Sequence, residues 1–405
     1  YSAVYNAWRY PNNDLEPKAV QNGTRKMKHF SFGKFLAHFF LLIIVFIWVI
    51  PTFGLLISSL RDKDQVALTG WWTALKHNEF NEIVRTEKSM VQFEENGVFI
   101  ITGNLLKNAP SKSVINFGIT SKNPKAFEVP AEVTMKNGST FYLQKNGTYR
   151  WTSDKEFKHK KGKRIFLTVS TPPSLTLENY KEVLVFRGLG QSFINSLTVA
   201  VPSTIIPLII GAFAAYALSW MNFYGRDLIF ATIVCLLVVP LQMSLIPILT
   251  VYNQIGNFFG VSAKSYVGIW LAHTGFGLPL KIFLLRNFIK SLPHEMFEAA
   301  RVDGASHYQI FMKIILPLSI PAFASIGILQ FLWVWNDLLV ALVFLDKMPS
   351  EIVLTSRLRE MLGEFSQNWE ILTTSAFVSM VVPLIVFLSL QRYFIRGLVA
   401  GSVKG

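Results

Sequence analysis

The chain has 405 residues, 51% of them hydrophobic and only 16% charged, whereas soluble domains carry about 25% charged residues. The formal net charge is +14; a nucleic-acid binder can be as basic, but it does not also carry several long apolar runs, so the composition excludes that class and points to a membrane protein. The single cysteine, Cys235, excludes an intrachain disulfide framework and a cysteine metal site.

Residues 1–34 are polar and basic (Arg9, Lys18, Arg25, Lys26, Lys28, Lys34) and precede the apolar run 35–59. That run exceeds a signal-peptide core and lacks a small-x-small cleavage site, so it reads as a retained first membrane helix with a cytoplasmic N-terminal segment. Crossing a bilayer takes about 20 apolar residues. Six runs qualify: 35–59, 192–218, 227–251, 265–285, 317–344 and 372–395. With both termini cytoplasmic, Arg226, then Arg286, Lys290, Arg301 and Lys313, then Arg392, Arg396 and Lys404 fall inside. Asp346, Glu351, Glu360, Glu364 and Glu370 fall outside, in keeping with the positive-inside rule.

The segment 60–187 has a different texture. Val133–Met135, Thr140–Leu143 and Tyr149–Trp151 are β-forming runs separated by stretches containing Asn137-Gly138 and Asn146-Gly147, the strongest short hairpin signal. Phe93–Thr102 and Arg164–Ser170 also read as strands. The lysine-rich stretch Lys155–Arg164 reads as a solvated loop, with contact to an acidic partner or an anionic ligand as the sharper alternative. Glu128, Glu132, Asp154 and His159 form no recognised catalytic pattern, which a membrane-embedded enzyme with an outer β domain would need. The expected fold is an all-α polytopic membrane protein with six transmembrane helices and a mostly β extracytoplasmic insertion between helices 1 and 2. Its parts are a first helix 35–59, the insertion 60–187, a membrane core 188–396 and a cytoplasmic tail 397–405.

The loop 291–317 carries the strongest local pattern. Pro293 suits a first helical turn, Glu295 and Glu298 lie where the helix dipole favours negative charge, and Met296, Phe297 and Ala300 recur at helical spacing. Gly304 can take the left-handed conformation that ends a helix. A second amphipathic turn runs through Phe311, and Pro317 is expected to open the next membrane helix. The product is a helix–turn–helix knob shaped to dock in a groove on another protein.

Glu298, Ala299, Ala300, Gly304, Ile314, Leu316 and Pro317 match at every position the pattern Glu-Ala-Ala, three residues, Gly, nine residues, Ile, one residue, Leu-Pro. With this loop the chain resembles the carbohydrate-type permease subunits of binding-protein-dependent ABC importers. Leu177-Glu-Asn-Tyr180, Gln191–Ser196, Val239–Pro247 and Trp333–Asp337 extend the likeness to about residues 30–60 and 175–405. The insertion departs from the maltose-type members and is similar to one in a subset of α-glucoside permeases. The resemblance implies a type I permease fold in the bacterial inner membrane, with the loop seated in a cleft of a separate ATPase. Glu298 then meets a basic group there, Ala299 and Ala300 allow close backbone approach, Gly304 sets the turn, and Asp303 caps it or is solvated. The tail residues Val403, Lys404 and Gly405 reach between the two ATP-binding subunits. The implied partners are a second, homologous permease, those two subunits and an extracytoplasmic solute-binding protein. No Gly-x4-Gly-Lys-Ser/Thr pattern occurs, so ATP and magnesium belong to the partner ATPase and this chain needs no cofactor. The loop leaves the solute open, since polyamine or phosphonate importers share it.

Polar residues within the apolar runs are candidate pathway residues. Trp333, Asn336 and Asp337 read either as a sugar-contacting lining or as an interhelical cluster in an aromatic belt. Gln242 and Met243, between Pro240 and Pro247 near the middle of the third run, read as lining, hinge or packing. Asn195 and Ser196 read as interhelical glue, His273 as a hydrogen-bonded packing residue, and Lys281 as snorkelling to the cytoplasmic boundary. An ion-driven carrier needs inverted repeats and midplane charges, and neither is evident.

Overall fold

The computed structural model describes residues 32–107, 109, 111–346 and 348–402. The basic segment before Phe32 and the tail residues Val403, Lys404 and Gly405 lie outside the described residues. The chain divides into two compact units, 1–51 and 52–405. Helix α1 (Phe32–Ser59) begins in the first and ends in the second, and its 28 apolar-rich residues are enough for a crossing.

Just beyond α1 the guanidinium of the fully buried Arg61 donates to the carbonyls of Gln65, Thr69 and Gly70 and to the Thr69 hydroxyl. A buried cation without a carboxylate must find such acceptors, and α2 (Lys63–Leu68) wraps around it to supply them. Asn179 on α3 (Glu178–Lys181) donates to the carbonyls of Ser59 and Arg61 at 2.9 and 2.8 Å, and the Tyr180 hydroxyl meets Ser59 Oγ at 2.6 Å. The Leu177-Glu-Asn-Tyr180 stretch thereby ties the chain leaving the β region to the chain that enters it.

Among the described residues nine strands lie between these ties: β1 (Asn78–Arg85), β2 (Phe93–Glu95), β3 (Val98–Asn104), β4 (Ser113–Gly118), β5 (Phe127–Glu128), β6 (Ala131–Thr134), β7 (Thr140–Leu143), β8 (Thr148–Ser153) and β9 (Arg164–Thr171). They form two antiparallel sheets, ordered β1-β9-β4-β5 and β2-β3-β8-β7-β6. Val114, Phe117, Ile165, Leu167 and Val169 of one sheet share a core with Ile101, Phe141, Leu143, Tyr149 and Trp151 of the other, which makes a sandwich. The Asn-Gly turns sit where expected, with Gly138 and Gly147 both at φ +82°. Phe93–Thr102, expected as one strand, is instead a hairpin. Asn96 and Gly97 take φ +52° and +78° between β2 and β3, the two-residue turn that Asn-Gly favours. The lysine-rich 154–163 loop folds back on the sandwich, burying Phe157 and placing the His159 ring 5.1 Å from Trp151. Burial, and then the neighbouring Lys163, hold His159 below its ordinary pKa. Stability from this site is therefore complete above about pH 6.5 and declines as pH falls below it. A Cβ at Gly162 would lie 1.7 Å from the Thr86 carbonyl oxygen. Gly162→Ala is expected to cost about 2 kcal/mol or more of sandwich stability, read by thermal unfolding of the whole chain; an unchanged transition would contradict that packing.

The helices from Leu189 onward are α4 (Leu189–Trp220), α5 (Arg226–Leu236), α6 (Leu241–Phe259), α7 (Tyr266–Lys290), then α8 (His294–Val302), α9 (His307–Ile310), α10 (Leu316–Trp335), α11 (Leu339–Phe344), α12 (Leu354–Glu364) and α13 (Trp369–Ser402). Among the described residues five helices are long and apolar enough to cross, or six if the bent pair α5 and α6 counts as one. The expected single run 227–251 is that pair, broken by 108°. Pro240 offers no N–H and disfavours a helical residue before it, so the chain turns at Leu237–Val239 and restarts. Gln242 and Met243 consequently occupy the first turn of α6, directly after the bend. The run 317–344 also differs from expectation. Its helix starts at His307, passes through a π-helical turn at Phe311–Ile315, and stops at Trp335 before the short α11. Pro317 lies inside this helix; the π-turn lets the Leu316 N–H reach back five residues to the Phe311 carbonyl.

Asn195 and Ser196 act as the expected glue. Asn195 donates to the carbonyls of Ser350 and Ile352, and Ser196 Oγ accepts from Leu354 N–H at the start of α12. Lys281 does not snorkel. It is 2% exposed, and its Nζ donates to Gln330 Oε1 at 2.5 Å and to the Gly277 carbonyl at 3.0 Å. Helical side chains lean toward the N-terminus, so this stem runs away from the boundary at Lys290. Gly277 leaves it room, since a Cβ there would lie 2.6 Å from Nζ. Gln330 in turn donates to the Ser203 carbonyl, so α4, α7 and α10 meet at one polar point.

Candidate coupling site and pathway residues

The 291–317 loop folds as the knob its pattern implies. In α8 Phe297 is buried and stacks on Trp220 at the end of α4, with centroids 3.6 Å apart. Ala300 is half-buried on the same side. Helix α8 closes through Gly304 at φ +79°. The Ala305 N–H bonds the Ala300 carbonyl and the Gly304 N–H the Arg301 carbonyl, both at 3.0 Å, which is the Schellman arrangement. Asp303 is the exposed C-cap residue. On the far side of the turn Ser306 and Gln309 form a reciprocal capping box. Tyr216 OH lies 2.9 Å from His307 Nδ1, and Phe311 packs between Tyr216 and Phe213. The turn is therefore fixed from both ends and from beneath.

Among the described residues the outer face of α8 has no partner. Glu298 and Ala299 are exposed, and Val302 is 87% exposed. Among the described residues the one ion-pair partner of Glu298 is His294, whose Nδ1 lies 3.1 Å away one turn back. Exposed apolar and carboxylate groups on a helix locked in place make a surface ready for a partner. Ile314 and Leu316 are half-buried and Pro317 is exposed, all on the helix that rises from the knob. Sequence reasoning missed Trp220, the platform for α8, and Val302. It also missed the capping box, which the Ser306-x-x-Gln309 spacing signals. Ser306→Ala is expected to cost about 1 kcal/mol of local stability, seen as faster amide exchange in 304–310; unaltered exchange would deny the box that role.

The candidate pathway residues separate. Asn336, at the end of α10, is exposed and donates to the Leu332 carbonyl of its own helix. The Asp337 carboxylate accepts from Val340 and Ala341 N–H and so caps α11. The buried His273 lies 3.9 Å from Asp337 and 6.2 Å, edge to face, from Trp333, and neither of its ring nitrogens has a hydrogen-bond partner among the described residues. The expected hydrogen-bonded packing role thus reduces to packing. Trp333 is 42% and Met243 75% exposed, and Gln242 is exposed; none of the three touches Asp337 through a hydrogen bond among the described residues. Trp335 turns inward and donates to the Ser379 carbonyl. The described residues hold no cluster of His, Cys, Asp and Glu fit for a metal ion.

Residues 207–399 match the family described as "Binding-protein-dependent transport system inner membrane component", and the match includes the whole knob. The alpha-glucoside transport system permease protein AglG of Rhizobium meliloti is 57% identical over 368 residues, 91% of this chain and 96% of that protein. The chain belongs to this permease family. It is a membrane-spanning transport subunit and not an enzyme, with an importer-permease core of five or six apolar helices and a β region in its N-terminal part. The osmoprotective compounds uptake permease protein GgtD of Synechocystis is 42% identical over 383 residues, 95% of this chain and 96% of its own length. A probable ABC transporter permease of Pyrococcus horikoshii is 39% identical over 235 residues, 58% of this chain and 83% of its own length. Alignments as full as the first two include the sandwich. The third is too short to span both the β region and the membrane core of this chain.

Proposed function

We propose that this permease is one of two homologous membrane subunits of an ATP-driven importer whose cargo is a sugar or oligosaccharide of the α-glucoside class. The observation that carries the coupling role is the knob: a helix fixed by Phe297, the Gly304 turn and the capping box, with Ala299 and Val302 turned outward and the exposed Glu298 at the edge of that face. The cargo class rests on the 57% identity to an alpha-glucoside permease over nearly all of both chains. The osmoprotective-compound permease, 42% identical at similar coverage, favours a second reading in which the cargo is such a compound.

The knob faces the cytoplasm, both termini lie there, and the sandwich lies outside, where a solute-binding protein delivers cargo. Two ATP-binding subunits hold ATP and magnesium. Each seats one knob, with Glu298 against a basic group, Ala299 and Ala300 allowing close approach, and Asp303 and Gly304 fixing the bend. Ile314, Leu316 and Pro317 lie where the helix from His307 leaves its π-turn and carries the motion upward to Trp335. Val403, Lys404 and Gly405 reach the ATPase pair. ATP-driven closure of that pair moves the knobs together and opens the permease pair outward; hydrolysis resets it. Trp333 and Asn336, with Gln242 and Met243, are the side chains left free to line the path, whereas Asp337 is occupied as a cap.

Proteoliposomes carrying the complete transporter and its binding protein are expected to accumulate labelled α-glucosides only with internal ATP. Uptake of an osmoprotective compound in their place would favour the second reading, and no ATP-dependent uptake of either would remove the proposal.

A further inference from the structure

The inner face of α8 does not close fully on the membrane helices. A cleft of about 480 Å³ remains between α8 and α9 on one side and the ends of α4 and α7 and the start of α5 on the other. Arg226, Lys290 and Arg301 line it, with His294 and His307 beside them. Its one lining carboxylate, Glu298, is engaged by His294. Arg226 pairs with its neighbour Asp227, whose side chain is 81% exposed, and bonds Asn222 Oδ1. Among the described residues Lys290 and Arg301 have no ion-pair partner. Behind them Arg286, held over the Phe230 ring at 3.6 Å, adds to the same field, and it and Lys290 both lie within electrostatic range of Arg226.

The ends of α4 and α7 offset roughly half a charge each, which leaves the cleft positive. The knob does not need these cations, since Phe297, the Schellman turn and the capping box hold it. The site lies at the ends of α4 and α7, two helices long and apolar enough to cross a membrane, beside the amphipathic Trp220, a residue type enriched at the membrane–water boundary. Guanidinium and ammonium groups around a polar, headgroup-sized cleft fit phosphate oxygens.

We propose that this cleft binds a phosphate group, presented by the headgroup of an anionic phospholipid, and that the bound phosphate fastens α8 to α4, α5 and α7. The functional consequence rests on α8 being the coupling element; the binding itself does not. A soluble phosphate offers the same chemistry, and the test separates the two sources.

The test uses the complete transporter in nanodiscs of phosphatidylcholine, with and without phosphatidylglycerol. It compares the native chain with Arg226→Gln/Lys290→Gln by retained lipid in native mass spectrometry and by ATPase rate. Each basic residue near an anionic surface contributes about a fivefold gain in affinity, so the double variant is expected to hold phosphatidylglycerol roughly 30-fold more weakly. It should keep the native rate in phosphatidylcholine and lose the rise that phosphatidylglycerol gives. Inorganic phosphate producing that rise in phosphatidylcholine discs with the native chain alone would support the site with a soluble occupant. Equal lipid retention and equal stimulation in both chains would overturn it. If Glu298→Lys left uptake intact, the coupling reading would fail while lipid retention still reported on the cleft.

Discussion

Glu298→Lys is expected to abolish substrate uptake while leaving the chain folded and in the membrane. The side chain is 67% exposed and, among the described residues, its one ion-pair partner is His294 one turn away, so the fold does not depend on it; exposed pairs of this kind contribute little. At an interface the balance is different. Removing one partner of a desolvated charge pair costs about 2–5 kcal/mol, roughly 30- to 5,000-fold in affinity, and reversal adds repulsion. Co-purification of the ATPase with the variant should fail, while its thermal transition stays at the native value. Glu298→Gln, which keeps the shape and a hydrogen-bonding oxygen, should fall between. Normal uptake by the lysine variant would sink the assignment of this face.

Gln330→Leu is expected to destabilise the membrane core by about 3 kcal/mol or more. It removes the side-chain acceptor of the Lys281 ammonium, leaving it the Gly277 carbonyl alone, and with it the donor to the Ser203 carbonyl. Lys281, Gln330 and Ser203 are less than 5% exposed, so neither the under-bonded ammonium nor the Ser203 carbonyl can turn to water. Lys281→Met alone should cost less, because it leaves only a neutral amide oxygen unpaired. Lys281→Met/Gln330→Leu together should recover much of the loss, since an apolar pair strands no charge. Thermal unfolding of the four chains in detergent measures the cycle. Strictly additive effects would mean that Lys281 and Gln330 do not depend on each other.

Both variants probe features with different visibility in the sequence. The knob was legible because its determinants are local: Gly304 for the left-handed bend, Phe297 and Ala300 at helical spacing, and the fixed distance to Leu316-Pro317. The Asn137-Gly138 and Asn146-Gly147 hairpins were legible for the same reason. Asn96-Gly97 carried the same signal but sat inside a continuous β-forming run, and the run hid it. The break at Pro240 was ambiguous, because proline is tolerated within membrane helices as well as between them. The end of α10 at Trp335 was masked by the apolar residues of α11 that follow it. Lys281 was misread because its partner, Gln330, lies 49 positions away, and only the packing of α7 against α10 brings the two together. Trp220 likewise looks like an ordinary interfacial aromatic until the structure sets α8 on top of it. The cations of the cleft were legible as inside-facing charges, but not as a group, since Arg226, Lys290 and Arg301 come from three elements.

Topology and docking can be read from one labelling experiment. Cys235 is the only cysteine, so Cys235→Ser with Val302→Cys gives a single thiol on the exposed face of α8. A membrane-impermeant maleimide should label this chain in inside-out vesicles stripped of the ATPase and not in right-side-out vesicles, and restoring the ATPase should block the reaction. Labelling from the outer side, or labelling that the ATPase leaves unchanged, would contradict a cytoplasmic knob that takes its motion from a motor subunit.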